Sequence, residues 1–282
     1  MTKSWNDLAA LEQTTNEELG NNLLIVDGNN LSYRYIRRAN YNNYAADYVR
    51  TVNSLAKSYE ASKTIVAFDF GKSYYRKDMY DEYKGNRNDD DLSEEEKLKK
   101  QEFFDVLNNL PDHLTCDVVK HRGVEADDII AYLVDKFKDS YDNIWVISSD
   151  KDLIQLVDHN VSIFNIFSRK EITMDSLQES LEISPSEFML SRIIEGDSGD
   201  NIFGIEGIGP KRAQALAKEY KTFDNLIAAL PIKGRAKYIQ NLNAGKERLI
   251  RNENLINLKK YHKEAIAAGK EGDDPFEVLD SL

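Results

Sequence analysis

Three short apolar runs each finish in an aspartate. Leu23-Leu24-Ile25-Val26 ends at Asp27, Ile65-Val66-Ala67-Phe68 at Asp69, and Trp145-Val146-Ile147-Ser148-Ser149 at Asp150. The runs are continuous rather than alternating, which marks strands covered on both faces. In open α/β sheets the functional crevice lies beyond the carboxyl ends of the strands. Asp after a strand is an ordinary turn former or helix cap when it occurs once. Three delivered to one edge repel each other in a cleft of low dielectric, unless cations neutralise them. More acids follow: Glu125, Asp127 and Asp128 opening a helical pattern, Asp152 two residues after Asp150, and the pair Asp197 and Asp200. Acids at a helix start also suit the helix dipole. Together they make nine candidate metal ligands, all oxygen donors, which points to a hard ion, Mg²⁺ with Mn²⁺ as substitute. Nine acids exceed what one ion needs, so two ions are expected, an arrangement suited to in-line displacement at phosphorus.

A second constellation is Gly204-Ile205-Glu206-Gly207-Ile208-Gly209-Pro210-Lys211-Arg212. Gly207 and Gly209 permit a tight turn with exposed amides, and Pro210 suits the first position of a helix. That helix would aim its N-terminus, Lys211 and Arg212 at a phosphate. The order of residues is neither a Walker loop nor a dinucleotide fingerprint. A Gly-hydrophobic-Gly turn between helices fits the helix–hairpin–helix type, which holds a DNA backbone without reading bases. The plain alternative is a helix–helix turn.

Charge is distributed accordingly. The 282 residues carry a net charge of −12, and residues 1–183 hold 34 acidic against 22 basic residues. Residues 184–282 are balanced, and within them 207–251 holds ten Lys/Arg and three acids. An acidic centre beside a basic surface is thus expected. A single cysteine, Cys116, and four scattered histidines exclude an internal disulfide and a Cys/His zinc site. No apolar run approaches the roughly 20 residues that span a bilayer. The first 20 residues lack a signal-peptide shape and read as a weakly ordered tail, so a soluble cytoplasmic protein is expected.

The elements that must position these residues alternate. Strands are expected at 23–26, 64–68, 115–119, 144–147 and 161–166, with helices at about 44–61, 93–110 and 125–138. This implies a mostly parallel sheet with helices on both faces. Past Pro185 the pattern is helical with no convincing strand. Residues 72–102 break the alternation. They hold four tyrosines and several cations, then a polar loop, then Ser93 with Glu96 in capping-box spacing. The helix that follows has few apolar residues before Phe103 and Phe104. It reads as a surface excursion, or as a segment that is mobile or ordered only by a partner.

Taken in order, IVDGNNL, FDFGKSYYR, EYKGNR, RGVEADD, ISSDKDLIQLV and EGDSGDNIFGIEGIGPKRA resemble the 5′-nuclease (flap endonuclease) superfamily, most nearly the small bacteriophage 5′–3′ exonucleases. The resemblance covers about 190 residues. It implies a PIN-like mixed, mostly parallel α/β sheet over 21–183, whose acidic edge holds two divalent metals. It also implies a helical arch at about 72–110, and a helical DNA-binding region at 184–282 with a helix–three-turn–helix element at about 195–225. All nine acids fall on the family's acidic positions, with Asp27, Asp69 and Asp150 central to catalysis, and Lys84 falls on its arch-base lysine. Two departures are Gly199-Asp200-Asn201-Ile202-Phe203, where many members read Ser-Asp-Asn-Ile-Pro, and the acidic run through Asp89-Asp90-Asp91 and Glu94-Glu95-Glu96 in the arch.

The expected activity is Mg²⁺-dependent hydrolysis of DNA phosphodiesters by a 5′–3′ exonuclease and flap endonuclease in phage replication, with RNase H action on RNA–DNA primers. Direct or near-direct metal ligands are expected in Asp27, Asp69, Glu125, Asp127, Asp150 and Asp152, with Asp128, Asp197 and Asp200 acting through water. Lys84 would offset charge on the phosphate. Arg34, Arg87 and Arg192 are candidates for phosphate contacts, and Tyr83 for stacking on a terminal base. Gly207, Gly209, Lys211 and Arg212 would grip duplex, with a monovalent cation at the 204–209 turn. The expected partners are DNA flaps, nicks and ends, with RNA–DNA hybrids, for a monomer in the host cytoplasm. Two rivals are a catalytically silent branched-DNA binder, which would lack a strand-end acid, and a Mg²⁺-dependent phosphatase of small substrates, which would want Asp-x-Asp where the chain has Asp27-Gly28-Asn29.

Overall fold

The computed structural model describes residues 20–36, 44–87, 92–269 and 274–282. The N-terminal tail up to residue 19 and the acidic run at Asp89-Asp90-Asp91 lie outside the described residues.

Six strands form one sheet: β1 (Gly20–Asp27), β2 (Ala61–Phe70), β3 (Asp117–Arg122), β4 (Asn143–Ile147), β5 (Val161–Asn165) and β6 (Lys170–Ile172). Their order is β3-β2-β1-β4-β5-β6, all parallel except β6, which runs antiparallel to β5. The sheet is therefore mixed and mostly parallel. The chain builds outward from β1 in one direction through β2 and β3, then in the other through β4 and β5. Where the direction reverses, beyond the carboxyl ends of β1 and β4, neighbouring crossovers part and leave a crevice. Asp27 and Asp150 sit at that point.

Both faces of the sheet are covered, which is why its strands read as continuous apolar runs. Leu23, Leu24, Ile25 and Val26 are all fully buried. Alternate side chains of a strand point to opposite faces. Leu23 and Ile25 pack with the helices Ala126–Phe137, Leu258–Ala267 and Pro275–Ser281. Leu24 and Val26 pack with Gly28–Ile36, Ala45–Ser58 and Glu94–Asn109. A third core joins Leu190, Ile193 and Ile194 to Leu216, Leu226, Leu242 and Leu249 in the helices after Pro185. The chain then returns to the sheet, where Leu279 is buried and Lys136 Nζ donates to the carbonyls of Leu279 (2.7 Å) and Asp280 (2.9 Å).

Several expectations need correction. The third strand is displaced from 115–119 to Asp117–Arg122, because an edge strand with one wetted face carries Lys120, His121 and Arg122 and loses the apolar signature. The region past Pro185 does contain strands: Gly196–Asp197 pairs antiparallel with Ile202–Phe203, rungs too short to show a period. β6 is likewise too short to be read. The capping box at Ser93 and Glu96 is formed. The helix it starts is not polar throughout, however: Phe103 and Leu107 in its second half are buried under the sheet, while its first half stands in solvent. A helix at Tyr74–Met79, capped by the Ser73 hydroxyl, was not anticipated.

Candidate active site

The crevice is built from strand ends outward. Asp27 terminates β1 and is buried, and its carboxylate accepts from Ser148 Oγ at 2.7 Å and from the Asn30 amide at 3.0 Å. Asn30 in turn accepts from the Ser149 amide and hydroxyl, which ties the turn after β1 to the turn after β4. Asp69 ends the apolar run of β2 and accepts from the Ala126 amide at 2.7 Å, at the start of the helix Ala126–Phe137. Asp150 accepts from the Asp152 amide at 2.8 Å. The strand-end acids therefore double as caps, and these bonds hold their oxygens in fixed directions.

Electrostatics divides the carboxylates into two groups. In the first, Asp27, Asp69, Asp127 and Asp150 have no ion-pair partner among the described residues. Burial, then repulsion by Asp69, pushes Asp27 up to about 7. Asp69 lines the cleft, whose walls displace much of its water, and this with Glu125 raises it to about 6. Asp127 is pushed well above the carboxylate range by loss of water and by Asp150, Asp27 and Asp69. For Asp27, Asp69 and Asp127 the crowding favours the protonated form unless a cation takes the proton's place.

In the second group each acid already has an internal cation. Lys84 Nζ lies 2.7 Å from Glu125 and 3.7 Å from Asp200. Burial alone would raise Glu125, but Lys84 and Arg76 hold it below its usual value. Asp128 forms a two-pronged pair with Arg76, at 2.6 and 2.9 Å. Arg192 contacts Asp152 at 3.0 Å and also pairs with Asp197. Burial, against the pull of Arg192, still raises Asp152 to about 7. Oxygens of Asp152, Asp197 and Asp200 lie within 4.8 Å of one another, close enough to share an ion. All donors are carboxylates, the set a hard divalent cation takes.

Three of the expected site residues already have partners within the protein. Asp128 is almost fully buried, and each of its carboxylate oxygens accepts from Arg76. Tyr83 is not free to stack on a base: its ring is buried and its hydroxyl donates to Glu125 (2.9 Å) and Asp200 (3.0 Å). Arg192 is held by two carboxylates rather than presented to phosphate. Arg34 lines a separate groove with Arg50, Phe164 and Arg169, none of the nine carboxylates among its walls. Arg87 remains exposed, with one guanidinium nitrogen 2.6 Å from Asp200.

The base of the 72–110 segment is also fixed rather than awaiting a partner. The Lys84 amide donates to the Asp200 carbonyl at 2.9 Å, Asn86 to the Ser198 carbonyl at 2.8 Å, and Asn201 to the Glu82 carbonyl at 2.8 Å. Lys84 adopts the left-handed region (φ 52°), held there by these bonds. Residues 82–87 and 198–201 thus close one side of the crevice together.

Sequence reasoning missed Arg76 and Ser148. Arg76 is buried, and its Nε donates to the Leu255 carbonyl at 3.0 Å, which links the helical region to the acidic site. Its only signal was a cation among aromatics in Tyr74-Tyr75-Arg76.

The 204–213 turn lies in the helical region. Gly204 must be glycine, since a Cβ there would sit 1.9 Å from the Glu195 carbonyl oxygen. Gly207 takes φ 82°, and its carbonyl accepts from Arg212 at 2.7 Å. Gly209 is extended and begins the helix Pro210–Tyr220 with no side-chain cap, and its carbonyl accepts from the amides of Arg212 and Ala213, both at 3.0 Å. Lys211 is exposed. No helix among the described residues is long and apolar enough to cross a membrane.

Comparison with known proteins follows the same division. Residues 22–182 match the model of the 5′-3′ exonuclease N-terminal resolvase-like domain, and residues 183–268 that of the 5′-3′ exonuclease C-terminal SAM fold. The flap endonuclease of Escherichia phage T5 is 40% identical over 98% of this chain and 97% of its own. A 5′-3′ exonuclease of Bacillus subtilis is 29% identical over 78% of each chain. The crystal structure of the phage T5 D15 flap endonuclease in a pseudo-enzyme-product complex with DNA and metal ions superposes with a TM-score of 0.87, covering 92% of this chain and 97% of that one. Another structure of the T5 5′-exonuclease, with a TM-score of 0.87 at 40% identity, contains zinc. Two family models in tandem, together with close similarity along nearly the whole chain, make this protein a member of the 5′-3′ exonuclease family.

Proposed function

We propose that this protein is a structure-specific 5′ nuclease, cutting DNA as a flap endonuclease and 5′–3′ exonuclease with two Mg²⁺ ions. The observation that carries the reading is the group of four uncompensated carboxylates, Asp27, Asp69, Asp127 and Asp150. They stand at the switch point of the sheet beside a rim already neutralised by Lys84, Arg76 and Arg192. Like charges gathered there without a counter-cation are a site for added positive charge.

Bound ions would supply Lewis-acid polarisation of the phosphodiester and of the attacking water, and would stabilise the leaving oxygen. Asp27, Asp69, Asp127 and Asp150 would hold one ion, and Asp152, Asp197 and Asp200 a second. Ser148 and the Ala126 amide keep Asp27 and Asp69 oriented. Lys84, whose charge acts on both Asp69 and Asp127, would leave Glu125 in part to meet the charge developing on the phosphate. The turn at 204–213, with Gly207, Gly209, Lys211 and Arg212, would grip the duplex arm, and a monovalent cation would sit among its carbonyls. The helix Glu94–Asn109 would form one limb of an arch over a 5′ single strand.

In this reading the chain divides into a nuclease core over 21–183 and a DNA-binding region over 184–282. It acts as a monomer in phage DNA replication within the host cytoplasm, and it removes RNA–DNA primers as well as DNA flaps. An end-labelled 5′-flap duplex incubated with Mg²⁺ and with EDTA tests it. Cleavage near the junction that requires metal is expected, and a flap left intact in Mg²⁺ overturns the proposal. A hybrid substrate with a 5′ RNA segment separates the RNase H component.

A further inference from the structure

Asp152, Asp197 and Asp200, whose oxygens lie within 4.8 Å of one another, each hold a cation of the protein's own. Asp27, Asp69, Asp127 and Asp150 have no such partner among the described residues. Arg87 is paired with Asp200, and Arg192 by itself holds the other two. Its Nε donates to Asp152 at 3.0 Å, and a terminal nitrogen donates to Asp197. Neither acid has another cationic partner among the described residues. The guanidinium is thus a bridge between two elements. Asp152 follows β4, and Asp197 lies in the short hairpin after the helix Pro185–Glu195.

The frame around this bridge is rigid. Ile193 and Ile194, next to Arg192, are fully buried, and the Ile193 carbonyl accepts from Asn252 at 3.1 Å. A Cβ at Gly196 would sit 2.3 Å from the Ile202 carbonyl oxygen, so the turn that carries Asp197 is tightly packed. Arg192 falls in the last turn of its helix, where open carbonyls favour a cation. The side chains of Arg192, Asp152 and Asp197 are 17%, 17% and 19% exposed, so small ions can reach them. The guanidinium, at the end of a flexible side chain, is the part that can give way.

An ion at Asp152, Asp197 and Asp200 needs oxygens that Arg192 occupies. Two cations on the same oxygens repel each other at a range where water screens poorly. Binding then draws only on those molecules in which Arg192 has let go, and the apparent affinity falls by that fraction. A bridge closed about nine-tenths of the time weakens binding about tenfold. Asp27, Asp69, Asp127 and Asp150 impose no such competition.

We propose that Arg192 is a stand-in for the second ion: it neutralises Asp152 and Asp197 in the metal-free protein and must be displaced before that ion binds. This sets an order of loading. The four uncompensated carboxylates fill first, and the Asp152–Asp197–Asp200 site fills only at higher free metal. The inference rests on the two-ion reading above and adds the regulation of its second site. The same bridge spares the metal-free protein two unpaired carboxylates side by side in a cleft.

The test titrates metal-free protein with Mn²⁺, counting free ion by electron paramagnetic resonance, for the wild type, Arg192→Met and Arg192→Lys. The wild type should show a tight and a weak class of site. Arg192→Met should tighten the weak class roughly tenfold or more and leave the tight class unchanged. Arg192→Lys, which keeps the charge, should keep the weak class weak. Without metal, Arg192→Met should melt at a lower temperature than the wild type, and Mn²⁺ should restore it. A measurement on the wild type alone covers a variant that does not fold. The Arg192 Nε–H resonance, assigned by its loss in Arg192→Lys, should move as the weak class fills and stay in place as the tight class fills. If Arg192→Met leaves the weak class unchanged or weaker, or if the resonance ignores its filling, the stand-in is refuted and the two-ion reading stands. If neither the wild type nor Arg192→Met binds a second ion, the two-ion reading falls and this inference falls with it.

Discussion

Replacing Arg76 by methionine removes the cation from the most deeply buried ion pair among the described residues. Both side chains of the Arg76–Asp128 pair are at most 6% exposed. The guanidinium makes two contacts to Asp128, one to Glu125 at 3.2 Å, and one to the Leu255 carbonyl. Methionine fills much of the volume but leaves Asp128 desolvated and unpaired. Breaking one partner of such a pair costs about 3–5 kcal/mol. The orphaned Leu255 carbonyl adds about 1 kcal/mol or more. Against a total stability of about 5–15 kcal/mol, the variant should lose a large fraction of its resistance to urea. Pairing it with Asp128→Asn removes the stranded charge, and the double variant should recover about 2 kcal/mol or more of that loss. Urea denaturation of the four proteins of the cycle measures this. Metal titration of Asp128→Asn, followed by calorimetry, should show nearly normal affinity if the two contacts to Arg76 are what Asp128 is there for. A stable Arg76→Met protein, or an Asp128→Asn protein that folds normally but no longer binds metal, would refute the assignment of this pair to structure.

Asp150→Asn should reduce turnover by several orders of magnitude in a flap assay, yet leave the metal-free protein as stable or more so, since it relieves repulsion with Asp27 and Asp127; near-normal cleavage would remove Asp150 from the centre. The metal-free protein should lose stability as pH rises from about 4 to about 7. Over that window Asp27 and Asp152, both raised to about 7, keep protons that the unfolded chain has released. Each proton so retained contributes about 1.4 kcal/mol per pH unit, and saturating Mg²⁺ should flatten the fall in a series of thermal melts; a melt that rises with pH without metal would contradict the clustering. Amide exchange should be slow over 82–87 and from Phe103 onward, fast over 93–101, and slowed there by a substrate with a 5′ single strand but not by blunt duplex; equal protection by both DNAs would end the arch reading.

Much of the architecture was legible because burial on both faces leaves a direct trace. A strand covered on each side must be apolar at successive positions, and β1, β2 and β4 are. β3 was misplaced and β6 missed for the converse reason: at the edges of a sheet one face is wet, and short or polar strands look like loops. The helix Glu94–Asn109 misled because its exposed half dominates its composition, while two side chains, Phe103 and Leu107, anchor it.

The acids themselves were determined by the sequence, since an aspartate following a buried strand is carried to the carboxyl edge whatever the rest of the chain does. Their division into compensated and uncompensated groups belongs to the tertiary structure. Arg76 meets Asp128 across 52 residues, Lys84 meets Glu125 across 41, and Arg192 meets Asp152 across 40. Coulomb energy depends on distance in space and on the water that burial removes, and neither can be read from order along the chain. For that reason Asp128 and Asp127, adjacent in sequence, have different parts: one is bound to a buried arginine, while the other faces three carboxylates that only added positive charge can balance.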